Sequence, residues 1–194
     1  TPGYNAQPIE HKVALRAIWQ AHITLDDMRI PAENKLPAAN SFKDTAKVLI
    51  GTRLATCWMA LGHSVAGFDA ALSYAKKRVQ FGKPLATKQI VQQRLVKMLA
   101  DVTAIQLYCM QLTRLAELNQ LSDTLAGLGK YHNTTKARGV LAEARDLLGG
   151  NGILLDFHVI RHMCDLEAIH TYEGTETMQS LIVGRDITGF GAFA

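Results

Sequence analysis

Residues 91–116 read VQQRLVKMLADVTAIQLYCMQLTRLA, and apolar side chains recur in this stretch alternately four and three positions apart. The recurring positions are Val91, Leu95, Met98, Val102, Ile105, Cys109, Leu112 and Ala116. Because an α-helix has about 3.6 residues per turn, this spacing gathers the apolar side chains into one stripe. The stretch therefore predicts a long amphipathic helix with one buried face.

Further helices are predicted on both sides of this stretch. Upstream, the same spacing predicts a helix that ends near Arg78, before a turn at residues 82–84, with these apolar positions: Leu54, Trp58, Leu61, Val65, Phe68, Leu72 and Ala75. Downstream, Ser122 is a candidate N-cap for a helix rich in small residues, which the glycines of residues 149–152 end. Shorter helical patterns follow around residues 157–163 and 177–186. The sequence therefore predicts a mainly α protein, an antiparallel bundle of the four-helix type.

The first part of the chain has a different period. Apolar residues occupy the odd positions from residue 13 to residue 25, which predicts a half-buried strand, and residues 28–30 are predicted as a short second strand. Two strands do not form a stable sheet alone. Residues 1–37 are therefore predicted to be the end of a β domain whose beginning is missing, and residues 38–194 a helical bundle domain.

Composition excludes several classes of protein. The chain has 194 residues, 48% of them hydrophobic, and a net charge of +4, which is typical of one or two globular domains. The longest basic run, residues 76–78, has no interleaved aromatic residues, so nucleic acid is not an expected partner. The longest apolar run, around residues 54–62, is far shorter than the roughly 20 residues that span a membrane. No membrane span is therefore expected.

Three cysteines, Cys57, Cys109 and Cys164, are an odd number without Cys-x-x-Cys spacing. This pattern disfavours a disulfide framework and a thiolate metal site, and each cysteine is predicted to be a small buried residue. Residues 167–170 form a single Glu-x-x-His unit, whereas a di-iron bundle needs two. His158 and His162, four apart on a predicted helix, lack a third ligand. No metal site is predicted.

Four places depart from the pattern of a plain bundle: residues 77–82, residues 146–152, Arg53 and residues 171–175. Glycines and amides at helix ends approach phosphate oxygens closely, and a neighbouring Arg supplies the compensating charge, so the first two places would suit a dinucleotide. On spacing alone, the glycine run is more simply a helix terminator followed by a turn.

Glu173 and Arg53 each admit two interpretations. Glu173 precedes a predicted helix and would ordinarily be a helix-start carboxylate. In an apolar cleft, the pKa of such a carboxyl would instead rise toward neutrality, and the group could remove a proton from carbon. Arg53 needs an anionic partner if it is buried, but an Arg that lays its stem on the surface and keeps its head in water is the favoured interpretation.

Three motifs, taken in order, resemble the acyl-CoA dehydrogenase and oxidase superfamily: Arg78-Val79-Gln80-Phe81-Gly82, Leu148-Gly149-Gly150-Asn151-Gly152 and Tyr172-Glu173-Gly174-Thr175. Residues 25–31 also resemble the end of that family's middle β domain, so the resemblance covers nearly the whole chain. Residues 146–153, 158–162 and 171–175 are most similar to glutaryl-CoA dehydrogenases and plant short-chain acyl-CoA oxidases. Residues 40–49 lean toward the oxidase.

The resemblance implies the family's C-terminal helical bundle domain and an FAD-dependent α,β-dehydrogenation of a short-chain or dicarboxylic acyl-CoA. It also implies a homotetramer, a dimer of dimers, with an electron-transfer flavoprotein as the acceptor. The alternatives are an oxidase that passes electrons to oxygen and a non-catalytic helical assembly module. The expected location is the cytoplasm if the protein is bacterial and the mitochondrial matrix if it is eukaryotic. The end of the sequence at Phe193-Ala194 has no Ser-Lys-Leu-like signal, which disfavours a peroxisomal oxidase.

The resemblance also implies roles for individual residues. Glu173 would be the catalytic base that removes the α-proton while a hydride leaves the β-carbon for the flavin, and Arg53 and Gly174 would contact the substrate. FAD of the same subunit would contact Thr175, Glu176 and Thr177. FAD of a neighbouring subunit would contact Arg78, Val79, Gln80, Phe81, Lys88, Gln89, Asp146, Leu147, Leu148, Gly149 and Gly150.

Overall fold

The computed structural model describes residues 1–192. It is 68% helical. Its five α-helices are α1 (Phe42–Lys77), α2 (Gln89–Glu117), α3 (Asp123–Leu147), α4 (Val159–Thr171) and α5 (Glu176–Thr188). The mainly α prediction is confirmed, and each predicted helix is present. Phe193 and Ala194, on which the expectation about the peroxisomal signal rests, lie outside the described residues.

The β portion is a hairpin that the sequence predicted only in part. Strand β1 (Tyr4–Pro8) pairs antiparallel with β2 (Ala21–Leu25), with Tyr4 opposite Leu25. The predicted strand is present over residues 21–25, but only Ala21 is half-buried, so the expected half-buried face is wrong. The strand is absent over residues 13–20, of which 13–18 form turns and bends, and residues 28–30 form no strand. Alternation indicates which side chains share a face, but a strand also needs a paired neighbour. Within residues 13–20, the Leu15 amide instead donates to Asp165 Oδ1 on α4 at 2.6 Å.

The helices alternate in direction. Asp123 at the start of α3 pairs with Arg53 in the first half of α1, and Asn151 just beyond α3 donates to Tyr74 near the end of α1, so α1 and α3 are parallel. Helix α2 runs the opposite way, as does α4, whose His170 carbonyl accepts from Lys130 on α3. The antiparallel bundle is confirmed, with α1 and α3 at its centre and α5 packed on α3.

Ser122 and the glycine run begin and end α3 as predicted. The Ser122 hydroxyl accepts from the Leu125 amide at 3.2 Å, which satisfies one of the free donors of the first turn. The helix ends at Leu147, and Gly149–Ile153 form a 3-10 turn. A Cβ at Gly152 would lie 2.0 Å from the Arg145 carbonyl oxygen, so the turn passes the helix end too closely for a side chain.

The buried face of α2 is confirmed and that of α1 is partly wrong. Six of the predicted α2 positions are buried: Leu95, Met98, Val102, Ile105, Cys109 and Leu112. On α1, however, Trp58 is 42% exposed and Val65 is also exposed, while the buried face is made of small residues such as Cys57 and Ala60. The reason is the close approach of α3, since a Cβ at Gly67 would lie 2.5 Å from Leu141 Cδ2.

The cysteines and the membrane question also need correction. Cys57 and Cys109 are fully buried, as predicted, whereas Cys164 is half-buried. Burial raises the pKa of the Cys57 thiol to about 12 and that of Cys109 to about 11.

Helix α2, not the run at residues 54–62, is the apolar segment to consider as a membrane span, because it is long and apolar enough to cross a membrane by length and composition. In the bundle, one face of α2 packs on α1 and α3.

Candidate active site

Glu173 lies in the tight reversal between α4 and α5. Helix α4 is capped by Tyr172, and the next two residues have left-handed backbones, with φ of +62° at Glu173 and +90° at Gly174. A left-handed non-glycine residue costs on the order of 1–3 kcal/mol and persists only where the surroundings enforce it. A Cβ at Gly174 would lie 2.5 Å from Gln179 Nε2, so the second position requires glycine.

The helix-start interpretation of Glu173 is wrong. The N-cap of α5 is Thr175, whose side chain accepts from the Met178 amide at 3.3 Å, and the acidic residue of the first turn is Glu176. Glu173 precedes this cap by two residues, so its carboxylate does not belong to the helix start.

A hydroxyl of α1 holds the Glu173 carboxylate. Thr52 Oγ1 donates to Glu173 Oε2 at 2.7 Å. Beside it, the Tyr172 hydroxyl lies 3.0 Å from Met59 Sδ, also on α1. Burial, and then the charge of Glu173, raise the pKa of Tyr172. Glu173 is half-buried, and its carboxylate is oriented by a neutral donor.

Three further side chains bind the backbone of the same turn. Gln179 Nε2 donates to the carbonyls of Glu173 and Gly174 at 2.9 and 3.0 Å, and Arg53 Nε lies 3.4 Å from the Glu173 carbonyl. Lys130 Nζ donates to the Gly174 carbonyl at 2.5 Å and to the last turn of α4 at 3.0 Å. Lys130 is 1% exposed, and burial lowers the pKa of its ammonium to about 8. Donors from three helices therefore converge on the reversal.

Arg53 is buried and does not extend into water. Its side chain forms an ion pair with Asp123 at the start of α3, and only 6% of the residue is exposed. The expectation of a solvated head is wrong, because a guanidinium on this face of α1 lies between α3 and the Glu173 turn. The anionic partner within the chain is Asp123, and a contact with substrate stays a prediction.

His170 links Glu176 to α3. Its Nδ1 lies 2.9 Å from Thr134 Oγ1, and its Nε2 lies 3.2 Å from Glu176 Oε2. Burial lowers the pKa of His170. Its neighbour in the Glu-x-x-His unit, Glu167, pairs with Arg138 on the surface. Within residues 1–192, no group of three or more His, Cys, Asp or Glu side chains is placed to hold a metal ion.

The remaining candidate residues gather at the other end of the bundle. Arg78 caps α1, and a two-residue hairpin of β3 (Val79–Gln80) and β4 (Lys83–Pro84) follows it. Phe81, at the tip of this hairpin, is 94% exposed, and Lys88 Nζ lies 6.0 Å from the centre of its ring. Helix α2 begins at Gln89 without a side-chain cap, and its first two amides, those of Gln89 and Ile90, could bind an anion, whereas the amides of Val91 and Gln92 donate to the Lys88 carbonyl.

The segment of residues 146–150 lies at the same end. Asp146 accepts from Arg94 Nη2 at 2.8 Å. Leu147 and Leu148 are buried in the core, so only their backbone could contact a ligand. Gly149, with φ of +60°, and Gly150 are exposed, and a Cβ at either would meet nothing within 4 Å.

We call residues 78–89 with 146–150 the glycine-loop end and Arg53 with residues 173–177 the Glu173 end. Along α1, Thr52 and Arg78 are separated by roughly 40 Å at 1.5 Å per residue. A single bound dinucleotide does not extend over that length. The structure therefore brings the candidate residues together in two separate groups.

The glycine-loop end fits a dinucleotide. The exposed Arg78 and the half-buried Lys88 can neutralise phosphates, the uncapped start of α2 offers amides, and exposed Phe81 offers a stacking surface. The open space at Gly149 and Gly150 allows the backbone to approach a ligand.

Three residues that bind the Glu173 end were missed by the sequence analysis: Thr52, Lys130 and Gln179. A signal existed for Lys130, because it shares the face of α3 that carries Ala126, Thr134 and Ala137, all of them buried. A charged residue on such a face is rarely buried without partners. Thr52 and Gln179 carry no comparable signal in the sequence.

One known protein family has a model that matches most of this chain. Residues 42–188 match the family model described as acyl-CoA dehydrogenase, C-terminal domain. The chain belongs to the acyl-CoA dehydrogenase family. Members of the family use FAD, and some of them pair with an electron-transfer flavoprotein.

Individual relatives cover almost the whole chain. Over 188 residues it is 29% identical to a probable acyl-CoA dehydrogenase, YngJ, of Bacillus subtilis (strain 168), with 96% of this chain and 50% of that protein covered. Glutaryl-CoA dehydrogenase of Mycobacterium smegmatis has a TM-score of 0.97 at 36% identity over 100% of this chain and 50% of that one. A structure of a glutaryl-CoA dehydrogenase from the same organism in complex with FADH2 also has a TM-score of 0.97, at 34% identity, with the same coverage. The chain spans about half the length of these relatives.

Proposed function

We propose that this chain supplies the catalytic base and part of the FAD and acyl-CoA sites of an enzyme that dehydrogenates short-chain or dicarboxylic acyl-CoA thioesters. The observation that carries the proposal is the Glu173 carboxylate, held by Thr52 on a doubly left-handed turn. This arrangement favours chemistry over a structural role, because the turn places a strained residue where no helix cap needs it.

Glu173 acts on the α-carbon of the bound thioester. The Cα–H bond breaks, its proton moves to a carboxylate oxygen of Glu173, and its electron pair forms the α,β double bond as a hydride leaves the β-carbon. FAD, when bound, supplies the acceptor for that hydride. Thr52 keeps one carboxylate oxygen in place, and the buried donors of the turn restrict its backbone, so the base is oriented before substrate arrives.

FAD is proposed to lie between two copies of the chain. Thr175, Glu176 and Thr177 of one copy would contact it together with the glycine-loop end of the neighbouring copy, since the two ends lie too far apart within one bundle. Apolar side chains on the outer face of α2, among them Val96, Leu99, Leu107 and Met110, are exposed and would be covered in an assembly. A homotetramer built as a dimer of dimers meets both requirements.

The test is a visible absorption spectrum of the full-length protein that contains this chain. With FAD supplied, anaerobic addition of a substrate such as glutaryl-CoA or butyryl-CoA is expected to bleach the flavin bands. Glu173→Gln should retain the flavin, but its flavin should bleach at least about a hundredfold more slowly, as expected for loss of a general base. Glu167→Gln, a matched change at the surface pair with Arg138, should bleach like the wild type.

The outcomes separate the candidate functions. Full bleaching by Glu173→Gln would refute the proposed base. Hydrogen peroxide formed in step with substrate would establish an oxidase, and transfer to an electron-transfer flavoprotein would establish a dehydrogenase. If the full-length protein binds no flavin, both enzymatic functions are refuted and the non-catalytic helical assembly module is the remaining candidate. The proposed location is the bacterial cytoplasm or the mitochondrial matrix, without a membrane span and without a nucleic-acid partner.

A further inference from the structure

We propose that Lys130, together with Gln179, is a positioning residue that fixes the backbone of the Glu173 turn and thereby aims the Glu173 carboxylate at the α-carbon. This inference rests on the proposed function of Glu173. Both side chains act by donating hydrogen bonds to carbonyl groups of the turn, and neither side chain needs to contact the substrate.

The hydrogen bonds define the role of each side chain. Lys130 Nζ joins the carbonyl of His170, at the end of α4, to that of Gly174. Gln179 Nε2, from α5, joins the carbonyl of Gly174 to that of Glu173. The two donors share the Gly174 carbonyl, and together they bind the carbonyls of His170, Glu173 and Gly174. The peptide after Glu173 therefore cannot rotate without breaking its bond to Gln179, and the peptide after Gly174 cannot rotate without breaking bonds to both side chains.

Gln179 is held in one orientation by its surroundings. It is fully buried, and Gly127 and Gly174 lie on opposite sides of its amide, since a Cβ at either glycine would approach the amide within 3 Å. Its Oε1 is buried without a hydrogen-bond partner in the described part of the chain. Both hydrogen bonds of Gln179 Nε2 go to carbonyls of the turn, while Oε1 of the same amide makes none.

Lys130 is a costly choice if it serves only to stabilise the fold. Burying an ammonium is unfavourable, and an apolar side chain of similar length often stabilises a core as well or better. The groups that face it are Arg53 and Cys57 on α1, Glu173 in the turn and His170 at the end of α4. The ammonium donates hydrogen bonds directly to two backbone carbonyls, those of His170 and Gly174. An ammonium here fixes the positions of these carbonyls, which an apolar side chain could not do.

The test compares Lys130→Met and Gln179→Met with Lys136→Met in the full-length, FAD-loaded protein. Lys136 lies on the same helix and pairs at the surface with Asp101, away from the turn. We measure the rate of flavin reduction at saturating acyl-CoA, the Kd for acyl-CoA, flavin content and Tm. Lys130→Met should slow flavin reduction by about a hundredfold, as a displacement of about 1 Å does, and leave Kd and flavin content within about twofold. Lys136→Met should reduce flavin like the wild type.

A positioning role and a merely structural one give different results. A folded Lys130→Met that reduces flavin within about threefold of the wild-type rate overturns the proposal, as does a fall in rate matched by equal losses of flavin content and substrate affinity. If Lys130→Met does not fold, Gln179→Met decides by the same criteria, because it removes donors without removing a charge. An inactive wild type, or an active Glu173→Gln, would refute the proposed function itself. An active wild type with inactive Glu173→Gln and unchanged Lys130→Met would refute only the positioning role.

Discussion

Thr52 and Glu173, 121 residues apart in the chain, are joined by a hydrogen bond of 2.7 Å from the Thr52 hydroxyl to the Glu173 carboxylate. The bond connects the first third of α1 to the reversal between α4 and α5. It exists because α4 runs antiparallel to α1 and ends beside the turn of α1 that contains Thr52. The orientation of the proposed base therefore depends on the packing of two helices distant in sequence.

Removing this hydroxyl should impair proton removal. In the full-length enzyme, Thr52→Val is expected to slow flavin reduction by about tenfold, because a hydrogen bond to a charged group contributes about 1.5 kcal/mol or more. Thr103→Val on α2 is the matched control, since its hydroxyl bonds only the Leu99 carbonyl of its own helix. Equal rates for the two variants would show that Thr52 does not orient Glu173.

Two neighbouring glycines should differ in their tolerance of a methyl group. A Cβ at Gly152 would lie 2.0 Å from the backbone oxygen of Arg145, whereas a Cβ at Gly150 would meet nothing within 4 Å. Gly152→Ala is expected to lower the free energy of unfolding by about 1–3 kcal/mol, and Gly150→Ala by less than about 0.5 kcal/mol. Thermal and urea unfolding of both variants test this difference. Similar losses would indicate that the 3-10 turn relaxes to accept a side chain.

The histidine pair between α1 and α4 should make stability depend on pH. His63 Nδ1 and His162 Nδ1 lie 2.9 Å apart, and burial, the largest cause, lowers both pKa values below 6.5, against the raising effect of Asp165. As the pH falls, these two histidines therefore take up protons in the unfolded chain before they do so in the folded protein. Stability is lost as the pH falls through about 6.5. Arg161 opposes protonation of both rings in the same way.

His63→Gln tests this dependence. Between pH 7.5 and pH 5.5, the Tm of His63→Gln should fall less than that of the wild type, because one of the two depressed pKa values has been removed. His22→Gln, on the exposed face of β2, should follow the wild type. A wild-type Tm that is constant over this interval would contradict the expectation.

A flavin site shared between copies should allow inactive subunits to complement each other. Glu173→Gln damages the Glu173 end, and Arg78→Glu damages the glycine-loop end, so each variant alone should be inactive. Co-expressed at equal levels, they should recover about a quarter of wild-type activity, since random assembly pairs two intact ends in about one site of four. If both ends came from one chain, every site would carry one defect and the mixture would stay inactive.

The amino-acid sequence by itself determined the local elements. The four-three spacing of residues 91–116 placed α2 and its buried face correctly, because helical periodicity depends only on neighbours a few residues apart. Ser122 and the glycine run likewise marked the ends of α3, since caps are local interactions. The ordered motifs also led to the correct family. The local pattern failed at residues 13–20, where alternation without a partner strand did not make a strand.

Only the tertiary structure decided what surrounds the candidate base. It buried Arg53 against Asp123, turned the small residues of α1 toward α3 in place of Trp58, and brought Lys130 and Gln179 onto the Glu173 turn. It also separated the glycine-loop end from the Glu173 end by the length of α1. These relationships depend on which helix faces which, and contacts between residues far apart in the chain leave no periodic trace in a single sequence.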